Sequence, residues 1–106
     1  IHHNESASPG VQGAVAYYFC RQGYFSEAGS NLAGHIVGSI AAELGILAIP
    51  AMGRNYAVLR ETVMTAVLVE PLYMTHAGIK DELGQPRTAA RIAGAIYTGL
   101  NDYFSA

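Results

Sequence analysis

The chain has 106 residues, about one small domain, and is 51% hydrophobic but only 13% charged, with a formal net charge of −2. Lys80 is its only lysine and no Lys/Arg cluster is present, so a nucleic-acid-binding surface lacks its electrostatic footprint. Cys20 is the single cysteine, which excludes a disulfide within the chain, and the most apolar long window, 36–49, carries Glu43 and is too short to span a bilayer.

In chain order, 1–4 reads as the end of an element, and Ser, Pro and Gly make 5–12 a loop. Gly13 to Cys20 is rich in Val and aromatics and predicts a strand, followed by a turn over 21–25. Ser26 or Ser30 caps a helix on which Leu32, Ile36, Ile40, Leu44 and Leu47 form an apolar stripe, with Gly45 as its stop signal. Gly34 and Gly38, four apart on that helix, predict close packing on a sheet. Pro50 and Gly53 break the chain. Tyr56 to Arg60 predicts a short strand. Thr65 to Val69 predicts another, and its apolar run suggests burial on both faces. Thr75 is placed as the cap of a short helix over 77–83, ended by Gly84. Pro86 opens the last helix, with Ala89, Ile92, Ala93, Ile96, Leu100 and Tyr103 inward and Arg87, Arg91, Asn101 and Asp102 outward. The expected class is α/β. A chain this apolar that starts at Ile1 is expected to be a piece of a larger domain or a processed product.

Chemistry concentrates at two strand ends. His2 follows Ile1, and Glu70 ends the apolar run A-V-L-V. A lone carboxylate at the end of a buried strand is costly unless something pairs it. Ligands of open α/β sheets collect at the carboxyl ends of strands. Imidazole is a common zinc ligand, and a glutamate beside a metal-activated water serves as general base and then acid. The pattern therefore permits a hydrolytic zinc site with His2 as a ligand and Glu70 as base. A zinc site needs about three protein ligands, and the pattern names one. His3 points opposite His2 if both lie in a strand. His35 reads as a packed or surface residue, His76 as a helix-start residue, and Arg54 and Arg60 as members of ordinary ion pairs.

The segments I-H-H-N-E-S (1–6), G-V-Q-G-A-V-A-Y-Y-F (10–19), S-N-L-A-G-H-I (30–36), Y-A-V-L-R-E-T (56–62), M-T-A-V-L-V-E-P (64–71) and I-A-G-A-I-Y-T-G-L-N-D-Y-F (92–104) occur in this order. Together they resemble the C-terminal half of the zinc-dependent N-acetylmuramoyl-L-alanine amidases of the bacterial cell-wall lytic, autolysin-like type. The resemblance implies an α/β fold with a mixed β-sheet flanked by helices, and makes 1–106 the C-terminal portion of one catalytic domain. It also implies Zn2+ as cofactor, with His2 as one metal ligand and Glu70 as the catalytic glutamate. The other two ligands, a histidine and a glutamate, are expected from an N-terminal half that completes the site.

The substrate so implied is peptidoglycan, cleaved between N-acetylmuramic acid and L-alanine, in the cell wall, in the periplasm or outside the cell. Thr65, Leu72 and His76 depart from the family's usual Pro, Gly and Asn, and Met52-Gly53-Arg54 is a shifted form of its Arg-Gly pair. A non-catalytic relative that binds peptidoglycan or a partner is the competing reading.

Overall fold

A computed structural model describes residues 1–106. Its elements are β1 (Val15–Arg21), β2 (Tyr24–Phe25), α1 (Glu27–Leu44), β3 (Met52–Arg54), α2 (Ala57–Arg60), β4 (Val67–Glu70), α3 (Ile79–Leu83) and α4 (Pro86–Ser105). The architecture is α/β, a mixed sheet with flanking helices. β1 is its centre. It pairs in parallel with β3, through Tyr17↔Met52 to Phe19↔Arg54, and antiparallel with β4, from Val15↔Glu70 to Tyr18↔Val67. A hairpin adds β2 at the far end of β1. Residues 1–4 run beside the exit of β4: the His2 amide donates to the Val69 carbonyl at 3.0 Å and the Asn4 amide to the Leu72 carbonyl at 2.8 Å.

The core lies between one face of this sheet and the two long helices. Strand alternation turns Ala14 and Ala16 to that face, where they meet Leu32, Ala33, Ile36, Val37 and Ile40 of α1, Val69 of β4 and Ala95 of α4. Ser26 is the N-cap of α1: its hydroxyl accepts from the Gly29 amide at 3.0 Å. Gly45 closes the helix in the left-handed conformation. Leu47 lies beyond that stop and is exposed, so the stripe ends at Leu44.

Gly34 and Gly38 do not provide the close packing on the sheet expected of them. A Cβ at Gly34 or Gly38 would meet nothing, whereas one at Gly99 would come within 2.7 Å of the Ile36 Cα. Gly99 on α4 is the contact that lets α1 and α4 close. The buried face of α4 accordingly comprises Thr88, Ile92, Ala95 and Gly99. Ala89 and Ala93, expected to face inward, are exposed, one position beyond the buried Thr88 and Ile92.

Four further expectations are corrected. Met52–Arg54, read as a break, is a strand; Gly53 lies against the Cys20 side chain, and its missing side chain permits the approach. With that side of β1 taken, Tyr56 to Arg60 is not a strand. The Tyr56 carbonyl accepts from the Leu59 and Arg60 amides and starts the single turn of α2. Thr75 does not cap α3, which follows Gly78; its hydroxyl accepts from the Ser6 amide at 2.9 Å and fastens the N-terminal segment. β4 is not buried on both faces: Val69 is buried, while Leu68 and Glu70 are partly open.

Candidate active site at the exit of β4

β4 delivers Glu70 as its last residue, opposite Val15 on β1. Pro71 and Leu72 follow and are both buried. The proline fixes its own backbone and ends ladder pairing, so the strand stops where the carboxylate emerges. The backbone bond from His2 to Val69 brings residue 2 alongside it. The two sequence-predicted site residues are thus neighbours in space, although 68 positions apart. His2 is exposed, whereas His3 is partly buried with an unpartnered Nδ1.

Glu70 Oε2 is buried and has no hydrogen-bond partner. Burial raises the carboxyl above its ordinary value, and His2 offsets part of that rise. A buried acceptor without a donor carries a desolvation cost of about 1–3 kcal/mol. Native structures keep such groups at places where chemistry uses them.

Two tyrosines on the same side, Tyr17 and Tyr56, were not singled out by the pattern, and Arg54 lies beside them. Tyr17 shares the face of Glu70 by strand alternation. Its ring meets Tyr56 edge-on at 5.5 Å, and the Arg54 guanidinium lies over it at 5.3 Å. The Tyr17 hydroxyl is held above its usual pKa, first by burial and then by the Glu70 carboxylate. Arg54 therefore stacks on an aromatic ring instead of forming the ion pair expected of it, and its other bonds go to the Gly53 carbonyl and the Met52 sulfur. Arg60 does form one, with Glu61 at 3.0 Å on the surface. The alternation Val15, Tyr17 was the signal that could have placed Tyr17 beside Glu70.

The remaining histidines stand apart. His35 packs edge-on against Tyr103 at 6.3 Å. The His76 carbonyl accepts from the Ile79 amide at the start of α3, and its side chain lines a cavity of about 260 Å³ with Gln12, Leu72 and Arg91 that does not reach Glu70. No group of three His, Cys, Asp or Glu side chains is placed to hold a metal ion.

No curated protein sequence matches the chain. Among solved structures it is similar to the CwlD amidase of Clostridioides difficile, determined in complex with the GerS lipoprotein, with a TM-score of 0.86 at 19% identity over 97% of this chain and 51% of that one. It is similar to the catalytic domain of CwlV, an N-acetylmuramoyl-L-alanine amidase from Bacillus (Paenibacillus) polymyxa var. colistinus, with a TM-score of 0.79 at 27% identity over 97% of this chain and 54% of that one. The N-acetylmuramoyl-L-alanine amidase AmiC2 of Nostoc punctiforme gives 0.82 at 24% identity over 99% and 55%. The chain thus spans about half the length of these relatives. A family model described as N-acetylmuramoyl-L-alanine amidase matches residues 1–102, and the chain belongs to that family, amidase-3.

Proposed function

We propose that residues 1–106 form the C-terminal portion of the catalytic domain of a zinc-dependent hydrolase that cleaves the amide bond between N-acetylmuramic acid and L-alanine in peptidoglycan. The observation that carries this reading is the Glu70 carboxyl, buried at one oxygen without a donor and set beside His2 at a strand end. This arrangement suits a base that accepts a proton. The donor chemistry also fits a zinc site in part: His2 supplies an exposed imidazole, and the two further ligands that such a site needs come from outside residues 1–106. Zinc, when bound, polarises the scissile carbonyl and lowers the pKa of the attacking water.

The chain's own residues do the rest. Glu70 takes the proton of the attacking water at its unpartnered oxygen and returns it to the nitrogen of the departing L-alanine amine. One carboxyl thus serves as base in the first step and as acid in the second. The buried Pro71 and Leu72 hold the strand end while this happens. The site of action follows from the substrate: the cell wall, the periplasm or the exterior. No helix is long and apolar enough to cross a membrane.

The test is Glu70→Ala in the complete amidase. Release of L-alanine-terminated stem peptides from purified peptidoglycan is expected to fall by roughly 10²- to 10⁴-fold, with binding to the insoluble polymer retained. Unchanged hydrolysis would sink the assignment of Glu70. Binding without hydrolysis in the parent protein itself would favour the non-catalytic reading.

A further inference from the structure

Glu70 ends a strand, and the chain beyond it must be held if the carboxyl is to keep one position. Pairing of β1 with β4 stops at Val15↔Glu70. Continuing the same antiparallel register three residues further brings Gln12 opposite Tyr73. No backbone rung forms there. Instead, the Gln12 side chain makes the contacts: Oε1 accepts from the Tyr73 amide at 2.8 Å, and Nε2 donates to the Tyr73 carbonyl at 3.4 Å. A side-chain amide carries the same donor and acceptor as a peptide group, so Gln12 stands in for the missing strand. Its Oε1 also accepts from the Gly13 amide at 3.0 Å, which ties the bridge to the start of β1.

The opposite edge of the same segment is also occupied. The Asn4 amide donates to the Leu72 carbonyl, and the Met74 amide donates to the Asn4 carbonyl at 2.7 Å. Tyr73 turns its amide to Gln12 and shares its carbonyl between Gln12 Nε2 and the His76 amide, each at 3.4 Å, while its neighbours turn theirs to Asn4. The segment is therefore held on both edges, by the N-terminal segment that carries His2 and by Gln12.

We propose that Gln12 is a positioning residue: its side chain completes the sheet beyond Glu70 and fixes the Glu70 carboxyl relative to His2. The catalytic part of this inference rests on the amidase reading above; the structural part does not. A shift of about 1 Å in a reacting group lowers turnover by up to about 100-fold, while substrate held by other groups still binds. Gln12 touches neither proposed reacting group, so its effect belongs in kcat and not in KM.

The experiment pairs two variants. Gln12→Met keeps the length of the side chain and removes every hydrogen bond. Gln12→Glu keeps an acceptor for the Tyr73 and Gly13 amides and loses only the 3.4 Å donor. Hydrogen exchange is read first, on the folded protein without substrate. In Gln12→Met the Tyr73 amide is expected to exchange at least about tenfold faster, with the amides of the β1–β4 ladder unchanged, and Gln12→Glu is expected to restore protection. In the complete amidase, Gln12→Met is expected to lower kcat on a soluble muropeptide by about 10- to 100-fold with KM within about twofold, and Gln12→Glu to recover most of the loss. Equal exchange at Tyr73 in parent and Gln12→Met overturns the proposal whatever the activity. Faster exchange with unchanged kcat overturns the catalytic part. An inactive parent overturns the amidase reading instead, and the exchange result alone then decides whether Gln12 is the brace.

Discussion

The two faces of the sheet are built on opposite rules. On the face covered by α1 and α4, side chains interlock and buried polar groups find partners. Thr88, the buried polar residue of α4, donates its hydroxyl to the Glu82 carbonyl at 2.7 Å, and at the surface Arg91 of α4 reaches the carboxylate and the carbonyl of Glu43. On the other face a short α2 covers little, Tyr17 and Phe19 are only partly buried, and Glu70 keeps a buried oxygen without a donor. The first face does what stability requires. The second departs from it at the place where the proposed chemistry occurs, which is where local rules are expected to fail. Stability and the proposed chemistry thus fall to different residues of the same two strands: Ala16 and Val69 face the helices, while Tyr17 and Glu70 face away.

That division can be broken from the stable side first. Ile36→Ala removes a residue with 1% exposure from the centre of the helical core and is expected to cost about 2–5 kcal/mol, read as a lower urea midpoint at constant slope. A cost below 1 kcal/mol would mean that the core collapses around the gap and that the helical face is less closely packed than described.

Gly99→Ala tests the same face from α4. The added methyl meets backbone of α1, not the tip of a flexible side chain, so the helices must separate, at about 1–3 kcal/mol. Gly38→Ala is the control. Its Cβ meets nothing, and alanine is favoured over glycine in a helix by about 1 kcal/mol, so the two substitutions are expected to shift the melting temperature in opposite directions.

The smallest effect belongs to the functional face and has the opposite sign. The Glu70 carboxyl is harder to ionise in the folded state than in the unfolded chain, because burial outweighs the attraction of His2. A group whose folded pKa is raised contributes stability that is present below its unfolded value, near 4.5, and is lost as pH rises through the folded value. In metal-free protein, Glu70→Gln is therefore expected to raise the melting temperature at pH 7 and to leave it unchanged at pH 3.5. A variant destabilised at neutral pH would show that Glu70 is satisfied in solution and would remove the contrast between the two faces.

Much of the helical face was legible in the residues. The stripe from Leu32 to Leu44, the Ser26 cap, the Gly45 stop and the Pro86 start are local signals, and they were read within a few positions. The proposed site residues stand out in the sequence in a different way. The strand-end pattern permitted a role for Glu70 and His2, and the order of six segments suggested which family they serve. What escaped were properties that depend on a neighbour. Met52–Arg54 is a strand because the edge of β1 was free to receive it, and Tyr56–Arg60 is helical because that edge was then full. Gly99 and not Gly34 or Gly38 is the contact glycine because the crossing of two helices decides which residue meets a backbone.

By itself, then, the sequence determined the class of fold, the two long helices, the central strand and the two residues on which the chemistry is proposed to turn, because hydrophobic period, capping and punctuation act over a few residues. Tertiary structure alone decided that His2 lies beside Glu70, that Tyr17 and Arg54 share their side of the sheet, and that Gln12 takes the place of a strand opposite Tyr73. Each of these joins residues at least 37 positions apart, and a pairing at that distance is fixed by register and packing, which no local pattern encodes.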